Sequence, residues 1–165
     1  MTGSNRNREI EQKYLVDVLP DNLEQYKKSE LEQVYISTNP VIRIRKADDC
    51  CVLTVKGAGR LSREEFELDI TIEQYENLFK KMEEGTVSIK KTRYYIPLNE
   101  KFTAELDVYH GFLKGLLTVE VEFENLEEAK KFAPPKWFGA NVTELGEYAN
   151  SALAKMSLTY SKANI

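Results

Sequence analysis

Seven short stretches of the chain alternate apolar and polar residues at every second position, and the polar positions are filled largely by charged residues in pairs. Alternation with period two is the signature of a β-strand with one buried and one polar face. Acid pairs fall at Glu9/Glu11 in "EIEQK", Glu65/Glu67 in "REEFELDI", Glu105/Asp107 in "TAELDVYHG" and Glu120/Glu122 in "LTVEVEFEN". Basic pairs fall at Arg43/Arg45 in "VIRIRK" and Lys91/Arg93 in "SIKKTRYYIPL", while Lys13 and Lys56 extend "EIEQK" and "CVLTVKG". The wet face of an ordinary sheet mixes Thr, Ser, Gln and Lys with charges, because only β-propensity and solubility select residues there. Repeated charged pairs point instead to a shared interior.

The apolar faces of these strands need cover. "TIEQYENLFKKMEEG" reads as a helix over 71–85, with Thr71 as cap, apolar residues at 72, 75, 78, 79 and 82, and a closing Gly85. "LPDNLEQYKKSELEQ" suggests a short helix followed by a loop, "NLEEAKKFAPP" a short helix stopped by Pro134 and Pro135, and 146–160 a C-terminal helix. An antiparallel sheet of about eight strands can close on itself and leave an interior wide enough for side chains or one small ligand. With the helices outside, the charges point inward. The expected fold class is therefore α+β, an eight-stranded antiparallel β-barrel with a charged lumen and helices packed outside.

The 165 residues suit a single domain, 1–165, with 1–7 a frayed polar tail. A net charge of −4 gives no global attraction for nucleic acid or anionic membrane. No apolar run nears the roughly 20 residues needed to span a bilayer, and "MTGSNRNRE" lacks the apolar core of a signal peptide, so the expected location is cytoplasmic. Cys50 and Cys51, adjacent in sequence, read as reduced structural or loop cysteines. His110 reads as a turn residue and Trp137 as a packing anchor.

The proposed lining carries six cations (Lys13, Arg43, Arg45, Lys56, Lys91, Arg93) and eight carboxylates, a net charge of −2. Such a lumen must stay wet or hold compensating ions. Oxygen-only ligands suit Mg²⁺ or Mn²⁺, and Arg pairs on alternate strand positions suit phosphate oxygens. Two divalent ions would turn the lining positive, ready for a polyphosphate.

"EIEQK" resembles the Glu-x-Glu-x-Lys signature of the CYTH superfamily, the triphosphate tunnel metalloenzymes. "RIRK", "LTVKG", "SREEFEL", "KKTRYYI", "AELDVYHG", "LTVEVEF" and "PKWFGANVTELGEYANSALA" resemble, in order, the short bacterial branch of that family. The resemblance implies an eight-stranded tunnel, two Mg²⁺ or Mn²⁺ ions and hydrolysis of triphosphates, most of all inorganic triphosphate to pyrophosphate and phosphate. It implies metal held by Glu9, Glu11, Glu120 and Glu122 with Glu105 and Asp107 assisting. Phosphates would be gripped by Lys13, Arg43, Arg45, Lys56, Lys91 and Arg93, with Lys56 beside the reacting phosphate and Glu65 or Glu67 accepting the proton of the attacking water. Tyr35 matches a tyrosine of the short branch, and a packed aromatic fits that position equally. The C-terminal helix resembles one that closes a tunnel mouth. Alternatives within the family are a class IV adenylate cyclase and a thiamine or nucleoside triphosphatase; outside it stands a non-catalytic polyphosphate-binding module. The partner is a small triphosphate, with no nucleic acid and no membrane, and homodimer formation stays open.

Overall fold

The computed structural model describes residues 5–155, and side chains from residue 7 onward. Eight strands run β1 (Asn5–Leu15), β2 (Lys27–Thr38), β3 (Val41–Ala47), β4 (Cys50–Lys56), β5 (Ser62–Ile70), β6 (Ile89–Pro97), β7 (Thr103–Tyr109) and β8 (Leu117–Glu122). They close into an antiparallel barrel in the order β1-β5-β4-β3-β2-β6-β7-β8, with β8 returning to β1. The helices are short: α1 (Ile72–Phe79), α2 (Leu126–Lys131) and α3 (Asn150–Lys155), with 3₁₀ turns at Leu23–Gln25, Gly111–Leu113 and Gly146–Tyr148.

The apolar core lies outside the barrel, between the sheet and its covers. Ile10, Tyr14, Leu106, Val119 and Val121 face α2 and a knot of aromatic rings, Phe102, Phe123, Phe132 and Phe138, whose centroids stand 5.2 to 6.2 Å apart in the contacting pairs. Trp137 packs edge-on against Phe138 at 4.5 Å, the anchor role expected of it. A second cluster puts Val34, Ile44 and Cys51 under Tyr75 of α1. The cap of α1 is formed as its sequence predicts, with Gln74 N donating to Thr71 Oγ1 at 3.1 Å and Thr71 N to Gln74 Oε1 at 2.8 Å.

Four expectations need correction. The short helix expected at Leu23 and Tyr26 is the 3₁₀ turn Leu23–Gln25, and β2 after it is the longest strand, 12 residues, where the sequence pointed to a loop. Its inward side is Leu31, Gln33 and Tyr35, which carries no charged pair, and pairing to β3 and β6 along both edges overrides its helical composition. Residues 5–7 are strand and not tail, because their backbone pairs with Glu67, Phe66 and Glu65 of β5; residues 1–4 lie outside the described residues. α1 ends at Phe79 instead of running to Gly85; Leu78 and Phe79 of its last turn, and Met82 of the turn that follows, pack against the cluster of Val34, Ile44, Cys51 and Tyr75. The C-terminal helix starts at Asn150, after a 3₁₀ turn and an extended Ala149, and 156–160 lie outside the described residues.

Candidate functional site

Closing an alternating sheet puts one parity of each strand into the lumen, and the result is a cavity of about 330 Å³. Of the fourteen charged residues expected to line it, thirteen do: Glu9, Glu11, Lys13, Arg43, Arg45, Lys56, Glu65, Glu67, Lys91, Arg93, Glu105, Glu120 and Glu122. Asp107 does not reach the cavity wall. It is 0% exposed and accepts hydrogen bonds from Arg93 Nε at 2.7 Å, Arg93 Nη2 at 2.8 Å and Lys91 Nζ at 2.5 Å.

Three cations on the wall escaped the sequence reading: Arg8, Arg60 and Arg63. Arg63 shares the strand parity of Glu65 and Glu67, so the same alternation carried its signal. Arg60 sits in the β4–β5 turn, with its guanidinium over Gly146, where strand periodicity has no reach. The wall therefore carries nine cations and seven carboxylates, a formal +2 in place of the expected −2. It attracts anions before any metal arrives.

Most of the charges are matched. Lys56 Nζ lies 2.9 Å from Glu9 Oε2 and 3.1 Å from Glu65 Oε2, and Arg63 Nε donates to Glu9 Oε2 at 3.0 Å. Burial works to raise Glu9, but Lys56 and Arg63 outweigh it and hold the carboxyl at about 2. Glu120 is gripped by Lys13 at 3.1 Å and Arg93 Nη2 at 3.0 Å, which keep it well below the carboxylate range against the effect of burial. Arg93 also bonds Glu105, yet burial leaves Glu105 raised. Burial draws Lys91 down to about 8 against the pull of Asp107.

Two places remain unmatched, three strands apart around the barrel. Glu11 and Glu122 are cross-strand partners between β1 and β8. The nearest cation to Glu11 is Arg63 Nη2 at 3.6 Å, and Glu122 has no ion pair among the described residues. Burial, then the neighbouring Glu120 and Glu9, pushes Glu11 up to about 8; burial and Glu9 likewise raise Glu122. On β3 the imbalance is reversed. Among the described residues, Arg43 Nη2 donates to Thr54 Oγ1 alone, at 3.2 Å, and the buried Nε atoms of Arg43 and Arg45 have no partner. Neither arginine forms an ion pair among the described residues. One side of the lumen lacks a cation and the other lacks an anion.

No three carboxylates converge on a single point among the described residues. The donor set still fits a hard divalent cation: every candidate ligand is a carboxylate oxygen, and among the described residues Glu122 has no ion pair and Glu11 has only the 3.6 Å approach of Arg63, too little to offset burial and the neighbouring acids.

The C-terminal segment contributes to the cavity wall. Tyr148, Ala149, Asn150 and Ser151 form part of the wall, and Asn150 Oδ1 accepts from Tyr109 OH at 2.7 Å. Leu153 and Ala154 pack on Tyr35, Ile89, Tyr109 and Leu113, and Val87 N donates to Ala154 O at 3.0 Å. Tyr35 is both buried in that cluster and part of the wall, where Gln33 Nε2 donates to its hydroxyl at 3.1 Å. His110 is exposed outside the barrel, with Nε2 2.7 Å from Thr92 Oγ1. Cys50 is exposed and Cys51 buried, both as free thiols.

The CYTH domain family profile matches residues 7–157. An inorganic triphosphatase of Nitrosomonas europaea is 40% identical over 149 residues, spanning 88% of this chain and 96% of the relative. An inorganic triphosphatase of Acetivibrio thermocellus is 32% identical over 152 residues, 90% of this chain and 94% of the relative. A crystal structure of an inorganic triphosphatase, 38% identical, superposes with a TM-score of 0.65 over 89% of this chain and 97% of its own. With the closed eight-stranded tunnel, its charged interior and a profile match over nearly the whole length, the chain belongs to the CYTH domain family.

Proposed function

We propose that the chain is a metal-dependent triphosphatase that cleaves inorganic triphosphate to pyrophosphate and phosphate, acting in the cytoplasm with Mg²⁺ or Mn²⁺. The observation that carries this reading is the pair Arg43, buried, and Arg45, half-buried with its Nε fully enclosed: two guanidinium groups on the cavity wall with no ion-paired carboxylate among the described residues. A phosphate chain supplies the missing anion in forked geometry. The names of the two curated relatives point the same way.

Phosphoryl transfer needs chiefly positioning and charge neutralisation. Arg43, Arg45, Lys13 and Lys56 hold the phosphate chain, and Lys91 and Arg93 reach it from β6. Asp107 acts as a positioning residue, because its buried carboxylate fixes the direction of both Lys91 and Arg93. Glu9, Glu11, Glu120 and Glu122, with Glu105 beside them, hold the metal. A bound Mg²⁺ or Mn²⁺ supplies charge neutralisation on phosphate oxygens and makes water more acidic. Glu65 or Glu67 accepts the proton of the attacking water; Glu65 is raised by burial against the pull of Lys56, which suits it to receive a proton.

The wall offers phosphate-binding groups on most strands and no paired amide to read a base edge. Inorganic triphosphate should therefore be hydrolysed with higher kcat/KM than ATP, GTP, CTP or thiamine triphosphate. Steady-state phosphate release with Mg²⁺, Mn²⁺ and excess chelator tests this. A preference for one nucleotide, cyclic AMP as product, or turnover in chelator would overturn it.

A further inference from the structure

Arg63 has no part in the roles set out above. It faces Glu9 across the β1–β5 pair, lines the cavity and keeps its side chain 19% exposed. Its Nε donates to Glu9 Oε2 at 3.0 Å and its Nη2 stands 3.6 Å from Glu11 Oε1. A guanidinium is charged at any working pH, so a permanent positive charge sits between these two carboxylates. Lys13, Lys56 and Arg93 also hold lumen acids: Lys56 has Glu65 and Arg93 has Asp107 as a partner elsewhere, while Lys13 holds Glu120 and is already placed on the phosphate chain. Both partners of Arg63 are acids assigned above to the metal. A cation and a guanidinium cannot share the same carboxylate lone pairs at full strength, so binding of one loosens the other.

We propose that Arg63 is an internal counter-ion: in the metal-free tunnel it occupies Glu9 and stands beside Glu11, and a divalent cation at these acids displaces its guanidinium onto the phosphate chain. The proposal rests on the triphosphatase reading for the identity of that anion. The released fork keeps its donors inside a wall that already has excess positive charge, where phosphate oxygens are the available acceptors. Metal and triphosphate then bind with positive coupling, each raising the affinity of the other by the same factor. Without metal, Arg63 stays on its carboxylates and the phosphate chain lacks one of its clamps.

The test uses Mn²⁺ alone, followed by titration calorimetry, on the wild type and on Arg63→Met, whose side chain keeps the apolar stem without the charge. Removing a competing charge-assisted hydrogen bond should tighten Mn²⁺ binding about tenfold. A triphosphate analogue with nitrogen bridges, which is not turned over, should tighten Mn²⁺ binding in the wild type. In Arg63→Met that tightening should shrink about tenfold, since the coupling residue is gone. Unchanged or weaker Mn²⁺ binding in a folded Arg63→Met would show that Arg63 is only a structural ion pair or an organiser of the ligands, and would overturn the proposal. Should Arg63→Met fail to fold, Arg63→Gln decides: it keeps part of the stem and a polar end but loses the charge, so Mn²⁺ binding still rises and the coupling falls, whereas wild-type values for both refute it. A wild type that binds Mn²⁺, loses that binding in Glu11→Gln and hydrolyses no triphosphate refutes the enzyme reading, while the Mn²⁺ comparison still decides Arg63.

Discussion

Glu11 and the arginines of β3 separate two kinds of lumen residue. The folded-state value of about 8 for Glu11 stands far above the roughly 4.3 of a free glutamate, so the folded protein binds the extra proton. Stability of the metal-free protein therefore falls as pH rises from about 4.5 towards about 8. Glu11→Gln removes that loss: in excess chelator at pH 8.5 its melting temperature should exceed the wild type's by about 5 °C, and at pH 5 the two should agree, while turnover with metal is lost. Differential scanning calorimetry at the two pH values checks the sign. Arg43→Ala strands no carboxylate, so it should cost little stability and lower kcat/KM by about 10²-fold. Arg93→Ala leaves buried Asp107 and Glu120 short of a cation and should cost about 3–5 kcal/mol as well as activity. Circular dichroism melts beside kinetics distinguish the two. The charged positions themselves were legible from alternation alone. Whether a given carboxylate reaches the cavity was not: Asp107 and Glu105 look alike in "AELDVY" and Arg93 bonds both, but the register that sets Arg93 opposite Asp107 buries the first beneath Lys91 and Arg93 and leaves the second on the wall.

Legibility at the level of elements followed the contrast between faces. Seven strands with sharply charged inner faces could be read directly, whereas β2, with Leu31, Gln33 and Tyr35 inward and Lys28, Glu30 and Glu32 in between, could pass for a loop. Its strand state is fixed by neighbours on both sides, information that no local window holds. The apolar faces carry the complementary prediction. Val121 is 0% exposed, paired with Gln12 and Ala104, and packed in the cluster beneath α2. Val121→Asp puts a carboxyl into that apolar cluster, and even after it takes up a proton the cost of several kcal/mol is a large part of the roughly 5–15 kcal/mol that holds a domain together. The variant should be insoluble or unfolded by circular dichroism. Glu122→Gln, one position on and inside the lumen, should fold normally.

For the whole molecule, barrel closure was foreseen from counting faces, and the net sign of the lumen was not. The expected −2 became +2 because Arg8, Arg60 and Arg63 joined the wall and Asp107 left it. Turn residues and buried cross-strand pairs are what periodicity omits. The seam that closes the barrel sets Lys13 against Glu120 and Glu11 against Glu122, joining the first strand to the last. Every one of the eight strands contributes at least one residue to the cavity wall. No strand can leave the sheet without opening the wall, so ligand binding is linked to the unfolding of the whole barrel. Metal and triphosphate analogue added together should therefore slow amide hydrogen exchange in all eight strands by a common factor set by their concentrations over their dissociation constants. α1, which covers the outside and touches no ligand, should slow with them, since it has Tyr75 and its apolar neighbours only while the closed sheet exists beneath it.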